Sequence, residues 1–116
     1  MAEDDTFPAV GHKYQVKFVA AGGGFTVQLV FHSLTSLTYT QVRPNGTLGD
    51  SETVDINVEP IRDQLFLVTW QEGDGTTVVH LEDYKNLAIA THITSPTGDP
   101  AAPRFSIFHG SVTQLA

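Results

Sequence analysis

The chain has 116 residues, with 6 Lys+Arg against 13 Asp+Glu and a formal net charge of −7. That balance argues against a nucleic-acid or anionic-membrane surface, because phosphates require a basic face, and it favours solubility. No cysteine is present, which excludes disulfides, thiolate nucleophiles and Cys-ligated zinc and fits a cytoplasmic setting.

The length fits one domain with a small core: a loose, flexible lead over residues 1–10, then a single domain over 11–116. The acidic start, MAEDDTFPAV, lacks the apolar run of a secretory signal. No stretch approaches the roughly 20 apolar residues of a membrane span.

From the lead onward the pattern has period 2. Tyr14, Val16 and Phe18 alternate with Lys13, Gln15 and Lys17, which predicts a first strand with one wet face. Glycines 22–24 make a turn, and Phe25, Val27, Leu29 and Phe31 alternate through a second strand. Residues 34–42 predict a third, with Tyr39 near its middle. Pro44-Asn45-Gly46 breaks the run, since Asn-Gly tolerates positive φ. A fourth strand is predicted over 53–58, closed by Pro60. A fifth, 64–72, turns through Gly73-Asp74-Gly75 into a sixth, 76–83. A seventh covers 87–94, and a Pro-rich loop, SPTGDPAAP, leads to an eighth over 104–112.

No segment shows a helical period with caps. Eight sequential strands on short turns predict an all-β, antiparallel, up-and-down meander. Closure into a barrel removes both edges and leaves space for one small ligand; a two-sheet sandwich is the other arrangement.

The hairpin LVTWQEGDGTTVVHLED carries the site. A three-residue loop sets Glu72 opposite Thr76, Trp70 opposite Val78, Val68 opposite His80 and Phe66 opposite Glu82. Cross-strand partners share a face, so Trp70, Glu72, Val78 and His80 form one patch. The other face carries Leu65, Leu67, Val79 and Leu81, apolar enough to suggest a partner subunit in a homodimer. On the next strand, Ala88, Ala90 and His92 alternate with Leu87, Ile89, Thr91 and Ile93. If the small set points inward, it leaves room beside His80 for a ligand.

Glu72 is the first chemical candidate. Among Trp and aliphatic side chains a carboxylate is poorly solvated, which raises its pKa and suits acid–base work; at a strand end it is simply solvated. His80, His92 and Glu72 together have the composition of a two-His-one-carboxylate set, but not a local ligand spacing, so no metal is predicted. Tyr14 and Tyr39 could hold a phenol or carbonyl, or be core tyrosines with satisfied hydroxyls. His109 shares a face with Phe105 and Ile107 and is a further pocket candidate. Arg43 and Arg62 flank turns and read as surface. The glycines at 22–24 lack the Lys-Ser/Thr of a phosphate loop. There is no G-x-S-x-G, and nothing calls for a cofactor.

The stretch VEPIRDQLFLVTWQEGDGTTVVHLEDYKNLAIATHIT resembles the segment shared by MoaF-like proteins and phenolic acid decarboxylases, both lipocalin-like (calycin) barrels. The shared pattern is an apolar strand ending in Trp-x-Glu, a Gly-containing turn and a Thr-Val strand. GHKYQVKF, FTVQLVF and the closing FSIFHGSVTQL also fit a single MoaF-like domain. The resemblance implies a calycin barrel and, from the decarboxylases, a catalytic acid at Glu72. Those enzymes also use Tyr-x-Tyr on the first strand and an arginine before the fourth. Here Val16 stands where the second tyrosine would be, and LGDSET holds no arginine, so the clamp for a substrate carboxylate is missing.

The expectation is therefore a barrel that binds a small aromatic or apolar molecule, with Tyr14, Tyr39, Trp70, Glu72, His80, His92 and His109 as candidate ligand-binding residues. The alternative is a lyase or isomerase with Glu72 as general acid/base, partnered by His80 or Tyr39. A barrel filled by its own side chains and serving as an interaction module is the third reading.

Overall fold

The computed structural model describes residues 6–20 and 22–116. Eight strands run in chain order: β1 (Lys13–Val19), β2 (Phe25–Ser33), β3 (Ser36–Val42), β4 (Leu48–Arg62), β5 (Leu65–Gln71), β6 (Thr77–Asp83), β7 (Ala88–Ser95) and β8 (Arg104–Gln114). Each pairs antiparallel with the next, and β1 pairs with β8, closing an up-and-down barrel. The β1–β8 ladder, Tyr14 opposite Gln114 through Val19 opposite His109, excludes the open sandwich. No helix occurs among the described residues, so none is long and apolar enough to cross a membrane.

Period-2 alternation becomes inside and outside. Tyr14, Val16 and Phe18 are buried, as are Val27, Leu29 and Phe31, and Phe66, Val68 and Trp70. Two glycines are required by close approach or turn geometry. A Cβ on Gly24 would lie 1.9 Å from the carbonyl oxygen of Phe18, so only glycine lets β2 start there. Gly75 has φ +94°, the left-handed residue that ends a three-residue hairpin loop. That loop is tied by Glu72 N–H to Thr76 O at 2.7 Å and Gly75 N–H to Glu72 O at 3.0 Å. Thr76 N–H donates to the Asp74 carboxylate at 2.9 Å, which holds that carboxyl below its ordinary range.

The fourth strand is far longer than its apolar core suggests, spanning 15 residues. Pro60 does not end it. The register shifts between Pro60 and Arg62 against β5, a bulge at which a residue without N–H is tolerated. The N-terminal extension, Leu48–Thr53, pairs with β3 across a second shift between Thr40 and Val42.

The two barrel ends differ. Residues 6–10, expected as part of a loose lead, cap one end; residues 1–5 lie outside the described chain. Phe7 packs edge-to-face with Phe31, Phe66 and Tyr84 at 5.1, 5.0 and 5.6 Å between centroids. Ala9 is fully buried, and Val10 bridges to Phe31. Aromatic burial explains the order: Phe7 supplies the apolar area that fills the barrel floor. The opposite end, carrying the Gly73–Gly75 turn and the ends of β3 and β7, holds the cavity.

Candidate ligand cavity

A cavity of about 400 Å³ occupies the barrel interior below this mouth, within the range of small-ligand pockets, about 300–1,000 Å³. β3, β5 and β6 supply its aromatic and polar wall. Tyr39 and Trp70 stack with centroids 6.2 Å apart and planes 22° from parallel. Trp70 meets the His80 ring edge-on at 4.6 Å. Phe18 and Phe25 complete the apolar side.

Two carboxylates flank Tyr39. Its hydroxyl donates to Glu52 Oε1 at 2.7 Å, and Glu52 Oε2 accepts from Gly73 N–H at 2.9 Å. Glu72 lies on the other side and accepts from the Trp70 indole N–H at 3.2 Å. Burial raises the Glu72 pKa above its ordinary value; hydrogen bonds from Trp70 and Tyr39 oppose this, and the charges of Asp74 and Glu52 add to it. Burial, first, and then its carboxylate neighbours push the Tyr39 hydroxyl up, so it stays protonated.

Below Trp70 lies a buried polar chain. His80 Nδ1 sits 2.9 Å from Glu82 Oε2, and the Tyr84 hydroxyl donates to Glu82 Oε1 at 2.6 Å. Glu82 is 1% exposed, and these two donors are what make its burial tolerable. Burial and the Glu82 charge hold the Tyr84 hydroxyl firmly protonated. Because a carboxylate only accepts, His80 Nδ1 carries a proton and donates it to Glu82.

The structure brings Tyr39, Trp70, Glu72 and His80 together. Tyr14 is inward but belongs to the floor, 5.5 Å from the Tyr84 ring, where burial and Glu82 raise its pKa. His92 and His109 require correction: both are exposed on the outer surface. On β7 the inward set is Ile89, Thr91 and Ile93, because His80 pairs with Thr91 and Leu81 with Ala90. On β8, His109 follows Phe105 and Ile107 outward, while Val112 is buried inside. His92 therefore cannot join His80 and Glu72 around a metal, and no group of three possible metal-ligating side chains occurs among the described residues.

Three residues were not singled out from sequence. Glu82 and Tyr84 continue the alternation of His80, so their shared face was readable from period 2. Glu52 meets Tyr39 through the β3–β4 register, which a bulge makes unreadable. On β7 the condition that the small set points inward is not met, and Thr91 faces the interior instead.

The fold and cavity define a closed eight-stranded barrel with a polar-edged interior chamber. The chain matches the family described as MoaF-like over residues 10–113 and belongs to it. It is similar in fold to a crystal structure of a candidate β-lactamase from Burkholderia vietnamiensis, with a TM-score of 0.76 and 21% identity, covering 99% of this chain and 100% of that one. No curated protein matches the chain.

Proposed function

We propose that the protein is a small-molecule-binding barrel of the calycin type, taking an aromatic or apolar ligand against the Tyr39–Trp70 stack. The observation that carries this reading is the cavity of about 400 Å³ walled by that stack and edged by Glu72 and His80. A filled barrel would have no such chamber. Flat aromatic faces favour aromatic ligands through offset stacking. Trp70 is the sole tryptophan, so its emission reports occupancy without a label. Titration with small aromatic compounds is expected to shift or quench that emission saturably, and Trp70→Phe, which is silent, serves as the control. A flat response across a chemically broad panel of such compounds refutes the proposal.

A second reading is favoured by one observation, the raised pKa of Glu72 beside a stacked aromatic pair. A carboxyl that holds its proton closer to neutrality can protonate a bound substrate, which suits a lyase or isomerase. Under this reading Glu72→Gln abolishes turnover of aromatic acids or carbonyl compounds while leaving ligand-induced emission changes intact. Equal turnover, or none, in both forms removes the enzyme reading.

Self-association belongs to the proposal as well. The outer face of β5–β8 carries Leu67, Leu81, Val79 and Ile107 in adjacent rows, with Leu81 40% and Ile107 45% exposed. The acidic, cysteine-free composition fits a cytoplasmic setting.

A further inference from the structure

Among the described residues, the cavity wall carries one carboxylate outside the buried polar chain and neither lysine nor arginine. That carboxylate is Glu72, which is half-buried and open to the chamber. Its Oε2 accepts from the Trp70 indole N–H at 3.2 Å. Glu72 forms no ion pair among the described residues, where His80 is paired with Glu82 instead. The charged neighbours that act on it, Asp74 and Glu52, are both acidic. Arg43, just after β3, and Arg104, at the start of β8, are exposed, and Arg43 is turned to the Thr47 hydroxyl and the Leu48 carbonyl. A partly dehydrated carboxylate without a positive partner is costly, and a cation entering the chamber removes that cost.

We infer that the cavity selects a protonated aromatic amine, with its ammonium group paired to the Glu72 carboxylate and its ring among the aromatic side chains of the wall. The ammonium N–H donates to Glu72 in a charge-assisted hydrogen bond. Tyr39 and Trp70 line the same chamber, and the negative potential of aromatic faces favours a cation over an anion. Val27, Leu29, Val78 and Ile93 supply the apolar wall that an organic body requires. A metal ion does not fit, because no group of three possible metal-ligating side chains occurs among the described residues. A neutral aromatic keeps the apolar contacts and gains no charge pair. A carboxylate ligand meets Glu72 with Glu52 and Asp74 behind it, and is repelled. This inference rests on the small-ligand reading and narrows it to one chemical class.

The test titrates benzylamine, benzyl alcohol and benzoate into the whole protein at neutral pH, three compounds of similar shape that carry positive, zero and negative charge. The readout is the NMR signal of the indole N–H. Trp70 is the sole tryptophan, so there is one such signal, and its proton is the one bonded to Glu72. Benzylammonium is expected to bind about tenfold tighter than benzyl alcohol, and benzoate weaker than either. Glu72→Gln removes the charge and keeps an oxygen that can accept from the indole N–H. In that variant the affinity for benzylammonium is expected to fall to that for benzyl alcohol, with benzyl alcohol unchanged. Asp63→Asn removes the same unit of charge at the opposite end of the barrel and is expected to keep the preference, which separates pairing in the chamber from the general pull of an acidic chain. Equal binding of benzylammonium and benzyl alcohol by the wild type, a preference that survives Glu72→Gln, or an equal loss in Asp63→Asn overturns the inference and leaves the binding reading standing. No response to any of the three compounds counts against the binding reading itself and takes the inference with it.

Discussion

Tyr84→Phe isolates one hydrogen bond in the buried polar chain. The phenylalanine ring keeps the packing on Phe7, Tyr14 and Phe66, so what disappears is the hydroxyl that donates to Glu82 Oε1 at 2.6 Å. Glu82, 1% exposed, is left with His80 as its one side-chain donor among the described residues. A hydrogen bond to a charged group contributes about 1.5–3 kcal/mol, and burial at the barrel floor prevents water from replacing the lost donor. At about 4 °C per kcal/mol for a domain of this size, the melting temperature should fall by roughly 6–12 °C. Urea unfolding at neutral pH, followed by Trp70 emission, gives the free energy directly and reports through m whether the unfolded surface changed. A double-mutant cycle with Glu82→Gln should show coupling of about 1 kcal/mol or more, since the two residues share one bond. A loss under about 0.5 kcal/mol with no coupling would mean that the burial of Glu82 does not depend on Tyr84.

Phe7→Ala removes the aromatic plug and should cost about 3 kcal/mol in urea unfolding; an unchanged midpoint would show that residues 6–10 do not seal the barrel. The raised Glu72 pKa makes stability pH-dependent with a definite sign. A carboxyl whose folded pKa exceeds its unfolded value binds more protons when folded, so its contribution is present below the unfolded value and is lost as pH rises through the window to the folded one. Glu72→Gln should therefore gain stability relative to the wild type as pH rises through that window and hold the gain above it, and a pH-independent difference between the two proteins would contradict the assignment. Sedimentation at micromolar concentration should show a dimer, and Leu81→Glu should make it a monomer; a monomeric wild type removes the proposed outer-face contact.

The hairpin was the most legible part of the chain. Gly73-Asp74-Gly75 fixes a three-residue loop, and the register of Trp70 with Val78 and His80 with Val68 follows from it. Strand number and order were legible too: eight period-2 runs on short turns leave two edges that closure into a barrel removes, and the β1–β8 ladder is what excludes the sandwich. The face of β7 was not. Ala88, Ala90 and His92 alternate with Ile89, Thr91 and Ile93, and either set can face a cavity. The larger residues face inward because the barrel wall must be filled between its floor and its chamber, and Thr91 then stands beside His80. β4 hid its first half because Leu48–Thr53 runs along the mouth, where both faces are wet and no alternation survives. Glu52, the partner of Tyr39, sits in that stretch. Phe7 gave no periodic signal, since it belongs to no strand; a lone aromatic in an acidic lead was the sign that it packs.

The central claim is that the chamber beside Trp70 and Glu72 receives a small aromatic molecule, and a crystal structure of the protein soaked in benzyl alcohol tests it most directly. The account predicts planar density against the Trp70 and Tyr39 rings. Isolated water peaks in the chamber, or a chamber closed by the inward collapse of Tyr39 and Trp70, would contradict it.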